Sequence, residues 1–209
     1  NDGYIFHYEN QGNRLSPKLF LKTPIYMGLK FEGNSIPRFA DLNGDRSFDL
    51  IVGTGSGKIH LFLNSGISEE AIFCEEFDVI NPPDARCKYQ PLIVADLTPN
   101  VDAVPEMLDW DQDGDLDLVV GKSDGKLNYF LNIGDRFAPN WKLKSNHFQF
   151  IDAGGFVAPT FYDLNNDNYP ELFLGTATSR IINYANHEIM TKKLSKIKSI
   201  DPDTFDKTD

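Results

Sequence analysis

The sequence predicts an all-β fold built from repeated four-stranded antiparallel units. Three observations lead there: an aligned repeat, a period-of-two alternation of apolar residues inside it, and the lack of a convincing helical period. The segments PRFADLNGDRSFDLIVGTGSGKIHLFLNSG from residue 37, PEMLDWDQDGDLDLVVGKSDGKLNYFLNIG from 105 and PTFYDLNNDNYPELFLGTATSRIINYANHE from 159 align without a gap. Asp41, Asp109 and Asp163 are therefore equivalent, at spacings of 68 and 54 residues. Periods of that length mark propeller blades or other arrays.

Taken in order, residues 1–33 read as the end of an earlier repeat, because DGYIFHYENQG (2–12) matches SGKIHLFLNSG (56–66) and DGKLNYFLNIG (124–134). Residues 34–104 form a repeat with an insertion from about 67 to 104, residues 105–158 a second repeat, and residues 159–209 a third with its tail. KKLSKIKSID follows INYANHE much as WKLKSNHFQFID follows YFLNIGDRFAPN, so the chain is expected to stop inside a repeat. Each unit holds a short apolar segment after a proline, an acidic loop, a run such as DLIVGT, a Gly-containing turn and an alternating run such as KIHLFLN. Alternation of Ile59, Leu61 and Leu63 against Lys58, His60 and Phe62 puts one set on a single sheet face. PKLFLKTPI or NHFQFIDAG supplies a fourth strand. Phe39, Phe62, Tyr129, Phe130, Trp141, Phe161 and Tyr162 are expected in the core, as is Trp110, which stands where the other repeats have Leu42 and Leu164. The best helix candidate, SEEAIFCEEF at 68–77, falls in the insertion.

The acidic loops carry the chemistry. Numbered from the first aspartate, positions 1, 3, 5 and 9 are Asp41, Asn43, Asp45 and Asp49; then Asp109, Asp111, Asp113 and Asp117; then Asp163, Asn165, Asp167 and Glu171. Carboxylates crowded in this way repel one another unless a cation sits among them. A hard cation such as Ca²⁺ takes six to eight oxygens, and a tight loop with alternate side chains turned inward supplies several, with a backbone carbonyl at position 7 (Ser47, Asp115 or Tyr169) as a further ligand. A helix-flanked calcium loop does not fit, since position 12 of the second loop is Val120 rather than Glu and LDLVVG reads as strand. Magnesium usually keeps several waters, and the metal-free alternative is a set of Asx-type turns joining hairpins. Position 6 is Gly114 in the second loop, where a positive φ is expected, against Arg46 and Asn168 in the others; the second loop is expected to bind most tightly.

These units resemble FG-GAP repeats of the VCBS type, similar to the calcium-binding blades of integrin α-subunit propellers, through the pattern D-x-[DN]-x-D-x-x-x-[DE]-L with a downstream glycine. The resemblance implies a β-propeller, incomplete in this chain, of four-stranded antiparallel blades with Ca²⁺ between the first two strands of a blade. It further implies a module that presents loops to a protein or glycan partner in adhesion, recognition or assembly, in an extracellular, cell-surface or secretory-lumen setting. The remaining blades would come from a larger parent chain or an assembly. Propellers with such loops also occur in polysaccharide lyases, which keeps a carbohydrate-active enzyme as the alternative.

Other features set limits. A net charge of −11 argues against nucleic acid as a partner. No apolar run reaches the length of a membrane span, and NDGYIFHYEN lacks the regions of a signal peptide. The basic stretch KKLSKIK (192–198) reads as a solvated strand face or tail. Cys74 and Cys87, thirteen apart, are either free thiols or a staple within a surface excursion. His7, His60, His147 and His187 show no metal-ligand spacing, and GTGSG (53–57) reads as a hairpin turn, not a nucleophile elbow or phosphate loop. No unique catalytic set emerges, so a non-enzymatic module is expected.

Overall fold

A computed structural model describes residues 3–65, 71–73, 92–97, 102–178 and 180–184. Thirteen strands lie among these residues, in four antiparallel sheets. Sheet 1 pairs β1 (His7–Asn10) with β2 (Leu19–Thr23). Sheet 2 runs β3 (Ser35–Ala40), β4 (Asp49–Thr54), β5 (Lys58–Phe62), β6 (Leu92–Asp96) in spatial order. Sheet 3 repeats this with β7 (Val104–Leu108), β8 (Asp117–Gly121), β9 (Leu127–Asn132) and β10 (Trp141–Ser145). Sheet 4 has β11 (Val157–Tyr162), β12 (Glu171–Thr176) and β13 (Ile181–Tyr184). Among the described residues, helix is limited to two 3-10 turns, Tyr26–Gly28 and Phe148–Phe150. The short strands follow the β-branched and aromatic runs, and GTGSG closes the β4–β5 hairpin with the Gly57 amide donating to the Thr54 carbonyl at 3.0 Å.

Apolar layers lie between successive sheets. Ile5 and Leu29 meet Leu50, Val52 and Phe62 between sheets 1 and 2; Ile51, Ile59 and Ala95 meet Leu118, Val120 and Phe130 between sheets 2 and 3. Leu108, Val119, Leu127 and Tyr129 meet Val157, Leu172 and Leu174 between sheets 3 and 4. Each fully buried aliphatic side chain contributes roughly 1.5–3 kcal/mol of transfer free energy. The two inner sheets are thus covered on both faces, and the alternating sets of β5 fall on opposite faces as the sequence pattern places them. Ile59 and Leu61 are buried, but so is Phe62 on the opposite face, because alternate residues serve different cores rather than core and solvent.

The repeat's downstream glycine is where sheets approach most closely. A Cβ on Gly53 would lie 2.1 Å from the Ala103 carbonyl oxygen, and one on Gly121 would lie 2.3 Å from that of Val157. Only a residue without a side chain lets the next sheet's first strand cross there.

Three expectations need correction. NHFQFIDAG contributes a 3-10 turn and an isolated bridge, Lys126 to Asp152, while the fourth strand of sheet 3 is the preceding Trp141–Ser145. Gln149 takes φ 52° in that turn, as Met27 takes φ 54° in the equivalent turn after β2, which no strand tolerates. Part of the supposed insertion, Leu92–Asp96, is the fourth strand of sheet 2, and Ile72 and Phe73 are buried. Phe39 and Tyr162 are exposed, whereas Phe62, Tyr129 and Phe130 are buried and Trp110 packs edge-on against Phe148 at 4.9 Å. Cys74, Cys87, His187 and residues 192–198 lie outside the described residues, as does most of SEEAIFCEEF.

Candidate functional site

Each acidic loop joins the first and second strands of a sheet: residues 41–49 link β3 to β4, residues 109–117 link β7 to β8, and residues 163–171 link β11 to β12. The loop fold is the same three times. Position 6 has positive φ throughout, at Arg46 (69°), Gly114 (98°) and Asn168 (67°), and so does position 4, at Gly44 (70°), Gln112 (64°) and Asn166 (59°). Left-handed residues two apart turn the chain back so that side chains 1, 3 and 5 converge. The position 6 amide donates to the position 1 carboxylate in every loop: Arg46 to Asp41 at 3.1 Å, Gly114 to Asp109 at 3.1 Å and Asn168 to Asp163 at 2.9 Å. The position 7 amides of Ser47, Asp115 and Tyr169 donate to the carboxylates of Asp45, Asp113 and Asp167.

The loops differ at position 3. Asn43 Nδ2 donates to Asp45 Oδ2 and Asn165 Nδ2 to Asp167 Oδ2, both at 3.1 Å, so a hydrogen-bond bridge joins positions 3 and 5 of the first and third loops. The second loop has Asp111 there and no such bridge. Oxygens of Asp109, Asp111 and Asp113 come within 4.8 Å of one another, and no lysine or arginine pairs with them among the described residues. Mutual repulsion at that distance is about 1 kcal/mol per pair even at the dielectric of water. This all-oxygen, three-carboxylate cluster suits a hard divalent cation. Two further oxygens lack any donor although sealed from solvent, Asp41 Oδ1 in the first loop and Asp115 Oδ1 in the second, and a cation would satisfy such atoms. The residues present therefore fit Ca²⁺.

Position 9 also ties each loop to its sheet. Asp49 accepts from the amides of Leu42 (2.9 Å) and Asn64 (2.8 Å), tying the loop entry to the end of β5. Asp117 accepts from Trp110 and Asn132 amides and from the Tyr129 hydroxyl at 2.8 Å, and Glu171 accepts from the Leu164 amide at 2.8 Å. These buried carboxylates brace the loops. Burial pushes the Asp49 carboxyl up to about 6 against the pull of its two amide donors, and raises Asp117 in the same way. Asp115 is raised by burial and then by the negative charge of Asp113. Tyr129 is raised by burial and by its bond to Asp117.

Sequence reading missed the asparagines that end the third strands. Asn132 Oδ1 accepts from the Gly134 and Asn140 amides, Asn10 Oδ1 from Gly12 and Lys18, and Asn64 Oδ1 from Ile72. The signal was present as the recurring Asn-x-Gly in ENQG, LNSG and LNIG. The histidines for which ring contacts are recorded lie against aromatic side chains: His7 on Tyr26, His60 on Phe31 and Phe62, His147 on Phe150.

Comparison with known families finds an FG-GAP-like repeat at residues 109–174, from the first ligand candidate of the second loop to β12. The match spans 66 of the 209 residues. No curated protein matches the chain. Among the described residues, no helix is long and apolar enough to cross a membrane.

Proposed function

We propose that this FG-GAP-like repeat chain is a calcium-binding, β-propeller-type interaction module that presents its loops to a protein or glycan partner. The observation that carries the reading is the convergence of Asp109, Asp111 and Asp113 with no neutralising side chain among the described residues, on a loop fold repeated three times. Ca²⁺ would be held there by these carboxylates and, in the other loops, by Asp41, Asn43 and Asp45 and by Asp163, Asn165 and Asp167. Bound Ca²⁺ supplies charge neutralisation and stiffness. The chain's own residues do the rest: the position 9 carboxylates fix each loop to its sheet, and the sheets hold the three loops in a constant relation to one another.

A binding role, rather than catalysis, follows from the use of the repeated carboxylates as ligands and braces. Millimolar free Ca²⁺ outside cells suits such open loops, which favours an extracellular or secretory-lumen setting. Titration calorimetry with Ca²⁺, together with Tb³⁺ luminescence sensitised through Trp110 beside Asp109, tests the reading. Saturable binding lost in Asp113→Asn supports it, and the absence of both heat and luminescence in the parent chain contradicts it.

A further inference from the structure

The first acidic loop is touched by two residues of the next sheet. A Cβ on Gly44 would lie 2.8 Å from Cδ1 and Cε1 of the Phe137 ring and 3.4 Å from Arg136 Nε. Both residues stand in the turn between β9 and β10 of sheet 3. Gly44 is position 4 of its loop, where the second and third loops carry Gln112 and Asn166, and the missing side chain leaves room for one edge of the ring. The turn that delivers the ring is firmly made. Asp135 Oδ1 accepts from the amides of Phe137 at 2.8 Å and Ala138 at 3.0 Å, and Asn132 Oδ1 joins its two ends through the amides of Gly134 and Asn140. GNRLSP at 12–17 builds the same turn, with Asn13 Oδ1 accepting from the Leu15 and Ser16 amides, so an arginine followed by an apolar residue belongs to the repeat.

Arg136 brings charge to the same place. Its guanidinium lies 5.5 Å from the centroid of the Phe137 ring and forms no ion pair among the described residues, so its charge stands uncancelled beside Gly44. The first loop already has one carboxylate fewer than the second, Asn43 in place of Asp111, and an arginine of its own, Arg46, at position 6. We propose that Arg136 and Phe137 are a cover supplied by the neighbouring sheet that sets the cation affinity of the first loop. The inference rests on the cation-binding function proposed above and extends it. The two residues act in opposite senses. Phe137 holds the Gly44 turn in the fold that converges side chains 1, 3 and 5, so less binding energy goes into ordering the loop. The guanidinium opposes a second positive charge between Asp41 and Asp45, an effect that fades with salt. By reciprocity, a cation in the first loop holds the β9–β10 turn against sheet 2 as strongly as the turn helps the cation.

Calorimetric titration with Ca²⁺ tests it on the full 209-residue chain carrying Asp113→Asn and Asp167→Asn, which disable the second and third loops. In that background Phe137→Ala is expected to weaken binding on the order of threefold. Arg136→Gln is expected to tighten it about two- to fivefold at low salt, with the gain shrinking in high salt. Arg136→Lys, which keeps the charge, is expected to stay at the background affinity. A turn that served structure alone would weaken binding in both the Phe137 and the Arg136 variants, so opposite signs are the signature. Circular dichroism in chelator checks the fold of each variant, and should Phe137→Ala lose the parent spectrum, Phe137→Leu takes its place with a smaller loss. Equal affinities throughout, or shifts of the same sign in Phe137→Ala and Arg136→Gln, overturn the proposal while leaving the cation reading intact. A background chain that takes up no Ca²⁺ when the parent does also overturns it, since the first loop is then no cation site. A parent chain that takes up none defeats the proposed function itself, and this inference with it.

Discussion

At the scale of single residues, position 3 of the loops sets a trade between metal binding and metal-free stability. Asp111→Asn installs the amide that donates to the position 5 carboxylate from Asn43 and Asn165 in the other loops, so it removes a charge and adds a hydrogen bond. The expected outcome is Ca²⁺ affinity lower by on the order of tenfold at the second loop, with metal-free stability higher by about 1 kcal/mol, read by calorimetry and by denaturant unfolding in chelator. Backbone strain gives an independent check at position 6. Gly114 takes φ 98° with open space where a Cβ would go, so Gly114→Ala should cost roughly 1–2 kcal/mol through conformation alone. Arg46→Gly, at φ 69°, should change stability in the opposite direction by a similar or smaller amount.

At the scale of elements, the strands and loops were legible because their residues repeat. Three aligned Asp-x-Asn/Asp-x-Asp loops and the alternating runs beside them put β3–β4, β7–β8 and β11–β12 where they stand. The brace formed by Asp49, Asp117 and Glu171 was hidden, since a carboxylate at position 9 looks the same in sequence whether it faces a cation or backbone amides seven and fifteen residues away. Exposure of Phe39 and Tyr162 was equally hidden, because a strand pattern does not say which sheet face has a neighbour. The downstream glycines turn this distinction into a test. Gly53→Ala and Gly121→Ala force a Cβ into a backbone carbonyl and should each destabilise by about 1–3 kcal/mol, whereas Gly175→Ala should stay within about 0.5 kcal/mol of the parent in thermal or denaturant unfolding.

For the whole molecule, an array of sheets with apolar layers between them should respond to a ligand on one loop as a unit, because each loop is fixed to its sheet by a buried carboxylate. Ca²⁺ at a hundredfold over its Kd is expected to add about 2.7 kcal/mol per occupied site, raising the melting temperature. The pH dependence has two windows. In metal-free protein the Asp49 carboxyl lies at about 6, above its unfolded value of 3.8, so its contribution is fully present below about 4 and is lost as pH rises through 6. Acidifying from pH 7.5 to 5.5 in chelator should therefore stabilise the fold, by on the order of 1 kcal/mol from this group. With Ca²⁺ bound, the ligating carboxylates must stay ionised and their pKa values fall below the ordinary carboxylate range, so the stability they add is present at both pH values and is lost only on acidification below about 4. Thermal unfolding at those two pH values, with Ca²⁺ and with chelator, is the most direct single measurement of whether these loops are cation sites. The account predicts a higher melting temperature with Ca²⁺ than with chelator at both pH values; identical melting curves with Ca²⁺ and chelator at both pH values would contradict it.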